Sequence, residues 1–274
     1  MSARDSVEAL IPAVARLDRE RTARWRGAPG PASRHIFLLG FPRSGTTLIE
    51  QILGTIAGVV TLEEESTLAL AAARLFSPQG IARLDELGES ELAELRADYW
   101  QRVAAAGVDA AGKSFVDMDP FKAPSLPLIA RLFPQAKIVL VRRDPRDVVW
   151  SCFRQTFAYS PVALELTTLE RTTRYYDAVM TLTVACRDAF ALDVHEVRYE
   201  MLVRDFDATT QALCGFLDLP WSEGLRDFSS RARATPVKTA SAEQVRRSLY
   251  DGSGQWRRYA DKLAPVMPIL ERWI

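Results

Sequence analysis

Histidine is almost missing from this chain, and lysine supplies only five of its 35 basic residues. The two histidines, His35 and His195, stand at the starts of apolar runs, at the wrong end of a strand for chemistry. Both therefore read as structural rather than as catalytic bases. Cysteine is sparse too: Cys152, Cys186 and Cys214 form no C-x-x-C pair and sit among apolar or aromatic neighbours. That spacing argues for reduced core thiols over a disulfide framework, and predicts a reducing, cytoplasmic setting.

Net charge is absent as well. The 35 Lys+Arg balance 35 Asp+Glu, a total of +0, so no global field draws the protein to nucleic acid or anionic lipid. An anion site has to be local. No long hydrophobic run occurs: the first stretch, "MSARDSVEALIPAVARLDRERTARWRG", has charges through its apolar positions, which gives neither a signal-peptide core nor a membrane span. It reads as an amphipathic helix ending before "GAPGPAS". Repeats, low-complexity tracts and domain-splitting linkers are missing, so the expected organisation is an N-terminal helix in 1–30 and one domain over 31–274.

What is present is an alternation of short apolar runs with helical stretches. His35–Leu39, Lys113–Asp117, Lys137–Val141 and Val194–Tyr199 read as buried strands. "TTLIEQILGTIA", "SELAELRADYWQRVAAA", "DPRDVVWSCFRQTF", "LTTLERTTRYYDAVMTLTVACRDAF" and "DATTQALCGFLDLP" carry apolar residues at helical spacing. The expected fold class is α/β, a P-loop-like central parallel sheet with helices on both faces. The polar, basic region Arg231–Gly254 has little apolar periodicity and reads as a loop or lid.

"HIFLLGFPRSGTTLIEQIL" runs from strand through glycine-rich turn into helix, an arrangement whose backbone N–H groups bind phosphate oxygens. Gly40 and Gly45 have the G-x-x-x-x-G spacing of nucleotide-triphosphate loops, but Thr46 stands where those carry lysine. The cation is Arg43, inside the loop, whose fork can hold two phosphate oxygens. "KIVLVRRDPRDVVWSCF" repeats the pattern with Arg143 closing a strand, Asp144-Pro145 opening a helix and Ser151 two turns on. Arg142, Arg143 and Arg146 are alternatively partners of Asp144 and Asp147. Asp117 or Asp144 would have to hold Mg²⁺ in a nucleotide-triphosphate kinase, the competing reading.

With both turns in view, the sequence resembles the sulfotransferases that use 3′-phosphoadenosine 5′-phosphosulfate (PAPS), nearest to the repeat-linked bacterial and tyrosylprotein branches. The resemblance runs from about residue 34 to the C-terminus through "FPRSGTTLIEQIL", "LFPQAKIVLVRRDPRD", "VRYEMLV" and "SAEQVRRSLYDGSGQWRRY". It implies the sulfotransferase fold, PAPS as co-substrate, adenosine 3′,5′-bisphosphate as product, no metal, and an acceptor hydroxyl on a small molecule, glycan or peptide. Arg43, Ser44, Gly45, Thr46 and Thr47 would hold the 5′-phosphosulfate, and Arg143 with Ser151 the 3′-phosphate.

"LEEEST" offers Glu63, Glu64 and Glu65, clustered carboxylates that raise one another's pKa or simply favour a helix start. The resemblance selects Glu64 as general base. It also places Tyr199 near the nucleotide and Ser241 on the phosphosulfate, with Arg246, Arg247 and Tyr250 closing over the 3′-phosphate and Trp256 covering the adenine or anchoring the lid. Those relatives usually carry a lysine where this chain has Met118. Lys122 or Arg43 would then neutralise the leaving oxygen; a binding module without turnover is the further alternative. Phe153, Phe157 and Tyr159 suggest an apolar acceptor wall or ordinary core.

Overall fold

The computed structural model describes the chain except for Met1, Thr235, Pro236, Lys238, Ala240, Arg247 and Ser248. Five parallel strands form one sheet: β1 Arg34–Gly40, β2 Val59–Glu63, β3 Ser114–Met118, β4 Lys137–Arg142 and β5 Asp193–Arg198, in the order β2-β3-β1-β4-β5. The principal helices are α1 Ala3–Val14, α2 Thr46–Leu53, α3 Glu89–Ala105, α4 Pro145–Phe153, α5 Leu169–Ala189, α6 Phe206–Leu217, α7 Phe228–Ala234 and the short α8 Ala242–Val245.

Strand side chains alternate between two cores, as the period of two requires. Phe37, Leu39, Phe115, Ile138 and Leu140 pack with α1, α3 and α5. Ile36, Leu38, Val116, Met118, Val139 and Val141 pack with α2, α6 and α7 on the other face. Burial on both faces explains why these strands read as continuous apolar runs.

The N-terminal helix is shorter than its periodicity suggested. It ends at Val14, and a second short helix, Arg19–Thr22, restarts under the side-chain cap of Asp18. Val7, Leu10, Ala13 and Val14 are buried in the same core as β1. The edge strand β2 was not expected: "VVTLE" is short and half-buried, with too little alternation to stand out. No helix among the described residues is long and apolar enough to cross a membrane.

Candidate functional site

All five strands end at the same edge, and each supplies something to one neighbourhood. After β1 the chain turns through Gly40–Gly45 into α2. A Cβ on Gly40 would lie 2.6 Å from Ser44 Oγ and 2.9 Å from the Val141 carbonyl, and Gly45 has φ 113 with Tyr199 Cδ2 2.9 Å from its would-be Cβ. Both glycines are thus required by close approach, and Gly45 also by its left-handed backbone. As the N-cap of α2, Gly45 offers no side chain to its first N–H groups, which leaves them available to an anion.

Among the described residues, three non-glycine positions have positive φ: Arg43 (71), Glu64 (51) and Asp218 (53). Asp218 is the ordinary left-handed cap of α6. The other two are the loop arginine and the glutamate singled out from sequence, and strain of this kind concentrates at functional sites.

Arg43 reaches across the cavity. Its Nε donates to Ser151 Oγ at 3.0 Å, one terminal nitrogen to Ser241 Oγ and the other to Gln244 Oε1 at 3.0 Å. Burial, with Arg143 nearby, holds its guanidinium below the ordinary value. Arg143 donates to the backbone carbonyl of Arg43 at 3.2 Å and to that of Gly252, and lies 4.5 Å over the Tyr199 ring. Tyr199 in turn donates to the Tyr250 carbonyl at 3.0 Å and accepts from the Gly252 N–H at 3.2 Å. These contacts fold the segment after α8 over the sheet edge.

The result is a cavity of about 360 Å³ lined by Arg43, Gly45, Thr47, Arg143, Ser151, Tyr199, Ser241 and Tyr250, with Leu48, Phe228, Val245 and Leu249 adding apolar surface. A smaller recess of about 50 Å³ adjoins it, walled by Glu64, Thr46, Pro42, Pro120, Phe121 and Phe157. Arg43, Gly45, Thr47 and Ser241 line both spaces. The junction is therefore made by the turn into α2 together with Ser241, with Arg143 on one side, Glu64 on the other and Arg43 between them. Burial first, then Asp119 and Glu63, raise Glu64 to about 7.

Several sequence expectations change. Lys122 does not face the junction: its ammonium is buried against Asp117 and donates to Thr67 Oγ1 at 2.9 Å. Met118 is fully buried in the core beside α2 and supplies no charge. Arg246 turns to the Ala232 carbonyl at 3.4 Å and to Glu243 at 3.5 Å, outside the cavity wall. Arg247 lies outside the described residues. Trp256 packs beneath Arg146, 3.8 Å from the ring centroid, with its N–H on Asp147, so it anchors the lid rather than lining the cavity.

Of the alternative partners expected for the second turn, Asp144 pairs with Arg146 at 2.6 Å and Asp147 stands 4.0 Å from Arg143, whereas Arg142 pairs with Glu196 at 3.5 Å instead. Asp117 accepts from Lys122, Thr67 and Tyr99, and Asp144 caps α4, so each of the two acids, either of which would have to hold magnesium in a kinase, is already engaged. Of the aromatic candidates, Phe157 meets Phe121 edge to face at 5.9 Å, whereas Phe153 and Tyr159 are exposed. His35 is half-buried on the Tyr99 hydroxyl and depressed to about 3, with desolvation the first cause; His195 stacks on Phe216.

The sequence reading overlooked Asp119, Phe121, Trp150 and Gln244. Gln244 falls inside the quoted "SAEQV" segment, and Trp150 sits one residue before Ser151, but neither type announces a role alone. Within the Arg231–Gly254 range, the described residues include the end of α7 and all of α8, and Arg231 donates to Gln51 at 2.7 Å and Thr61 at 3.1 Å.

Residues 35–223 match the description "Sulfotransferase family". The chain is 31% identical over 270 residues to an uncharacterised protein of Aquifex aeolicus, covering 92% of this chain and 34% of that one. It is 30% identical over 199 residues to protein-tyrosine sulfotransferase 1 of Danio rerio, covering 69% and 54%. It thus spans about half or less of these relatives. Among solved structures, the sulfotransferase domain of the Synechococcus PCC 7002 olefin synthase superposes with TM-score 0.62 at 21% identity, over 91% of this chain and 98% of that one. A mouse sulfotransferase complexed with PAP does so with TM-score 0.53 at 17% identity, over 99% and 91%.

Proposed function

The chain belongs to the sulfotransferase family, and from that premise we propose that it transfers the sulfuryl group of PAPS to the hydroxyl of a small molecule, glycan or peptide, with Glu64 as general base. The observation that carries this reading is that Arg43 and Arg143, from turns after different strands, meet in one cavity that abuts Glu64. A donor with two separate phosphate groups matches two cationic turns. Its adenine matches the apolar lining supplied by Leu48, Phe228, Val245 and Leu249.

The polar atoms fit such an anion. Ser44 Oγ and Arg143 Nε, one in each turn, are buried without a hydrogen-bond partner, a cost that a ligand oxygen would relieve. Ser151 and Arg143 would hold the 3′-phosphate, and Gly45, Thr46, Thr47 and Ser241 the 5′-phosphosulfate. When bound, the donor supplies the sulfuryl group and leaves as adenosine 3′,5′-bisphosphate.

Glu64, raised to about 7, would accept the proton of a hydroxyl seated against Phe121 and Phe157. With Met118 apolar and Lys122 paired inward, stabilisation of charge on the leaving oxygen falls to Arg43 and the N-terminal amides of α2. The buried, unpaired cysteines suit a reducing compartment. Release of adenosine 3′,5′-bisphosphate from PAPS across a panel of phenols, sugars and tyrosine peptides tests the activity. Glu64→Gln is expected to bind that product normally and lose roughly two to four orders of magnitude in turnover; full turnover in this variant would remove Glu64 from its role.

A further inference from the structure

Glu64 has a fixed neighbour of the same charge. β2 and β3 pair in parallel with Glu63 opposite Met118, so Glu64 and Asp119 are the first residues past two adjacent strand ends. The Glu64 N–H donates to the Met118 carbonyl at 2.8 Å, which extends the register past the strand. Glu64 takes φ 51 there, a conformation a non-glycine residue keeps only when its surroundings over-determine it.

Asp119 is clamped as firmly. Its N–H donates to the Leu38 carbonyl at 3.3 Å, at the end of the phosphate-loop strand, and its Oδ1 accepts from the Phe121 N–H at 2.8 Å. Glu64, Pro120 and Phe121 wall the recess, and Asp119 does not. Asp119 is therefore placed to act on Glu64 and not on a substrate.

We propose that Asp119 is a positioning residue for sulfuryl transfer: its carboxylate, held beside Glu64 by the paired strand ends, keeps Glu64 basic enough to take the acceptor's proton. This rests on the reading of Glu64 as general base. The charges around the pair fit the assignment. Glu64 faces Glu63 and shares its recess with Arg43. Asp119 faces Lys122, Asp117 and the Tyr175 phenol of α5. The Lys122 ammonium is bonded to Asp117 and Thr67, and its charge also favours the ionised form of Asp119. Burial is the first cause that raises each carboxyl, Asp119 to about 6 and Glu64 to about 7.

Carboxyl-carbon NMR titration of Glu64, assigned by its loss in Glu64→Gln, is compared in the wild type, Asp119→Asn and Asp119→Glu, alongside the pH dependence of kcat/KM. In Asp119→Asn the Glu64 midpoint and the acidic limb of the rate profile are expected to fall together, by on the order of one pH unit. Plateau turnover drops while affinity for adenosine 3′,5′-bisphosphate stays the same; Asp119→Glu recovers both toward the wild type. An unmoved Glu64 midpoint in Asp119→Asn would overturn the proposal. So would Asp119→Asn abolishing a turnover that Glu64→Gln retains, which would make Asp119 the base. A displaced midpoint in a protein that sulfates none of the acceptors would instead overturn the sulfotransfer reading and leave the coupling standing.

Discussion

The guanidinium of Arg143 donates to the backbone carbonyl of Arg43 across 3.2 Å, although 100 positions separate them in the chain. One bond thus joins the turns after β1 and β4, and it needs the planar fork: the same guanidinium also reaches the Gly252 carbonyl at the lid. Arg143→Lys keeps the charge and loses the fork. Hydrogen bonds to charged groups contribute about 1.5–3 kcal/mol, so calorimetric titration should show adenosine 3′,5′-bisphosphate binding roughly ten- to a hundredfold more weakly. Equal affinity would mean that Arg143 holds the lid and not the ligand.

Glu64 also sets a pH dependence of stability. Its folded value, about 7, lies above its ordinary 4.5, so the folded state binds the extra proton between those values. The associated stabilisation is complete below about pH 4.5 and is lost as pH rises through about 7. Glu64→Gln escapes this loss. Its thermal midpoint relative to the wild type should rise from pH 5 to pH 8, and a difference flat with pH would contradict the burial described for this carboxylate.

Gly45→Ala tests the loop backbone. At φ 113, with Tyr199 2.9 Å from the added carbon, alanine meets both strain and a ring that Arg143 covers. Urea unfolding should report a loss of at least about 1–2 kcal/mol, together with weaker bisphosphate binding. A neutral substitution would show that the turn relaxes freely.

Lys122 is expected to be structural. Lys122→Ala leaves Asp117 buried without its cation, which costs about 3–5 kcal/mol when a buried pair is broken, read as a lower urea midpoint. Turnover per folded molecule should stay within a few-fold of the wild type. A hundredfold loss in the folded fraction would return Lys122 to the chemistry.

The sheet was legible because both of its faces are covered: "HIFLL" and "KIVLV" have no polar alternation to confuse. β2 escaped because an edge strand of five half-buried residues carries little periodic signal. The two strand-to-helix turns were legible because glycine, arginine and proline have positional meaning there. Directions of long side chains were not. Lys122 and Arg246 sit close in sequence to site residues, yet one is drawn inward by Asp117 and the other outward by Ala232 and Glu243. Asp119 became visible only through the register that sets it beside Glu64.

The most direct measurement is the thermal midpoint with adenosine 3′,5′-bisphosphate against ATP–Mg²⁺, since a ligand that binds only the folded state raises it. The bisphosphate is expected to raise the midpoint without magnesium, with the shift lost in Arg43→Ala and in Arg143→Ala. A shift with ATP that requires magnesium, and none with the bisphosphate, would contradict the assignment of two cationic turns to one PAPS-type donor.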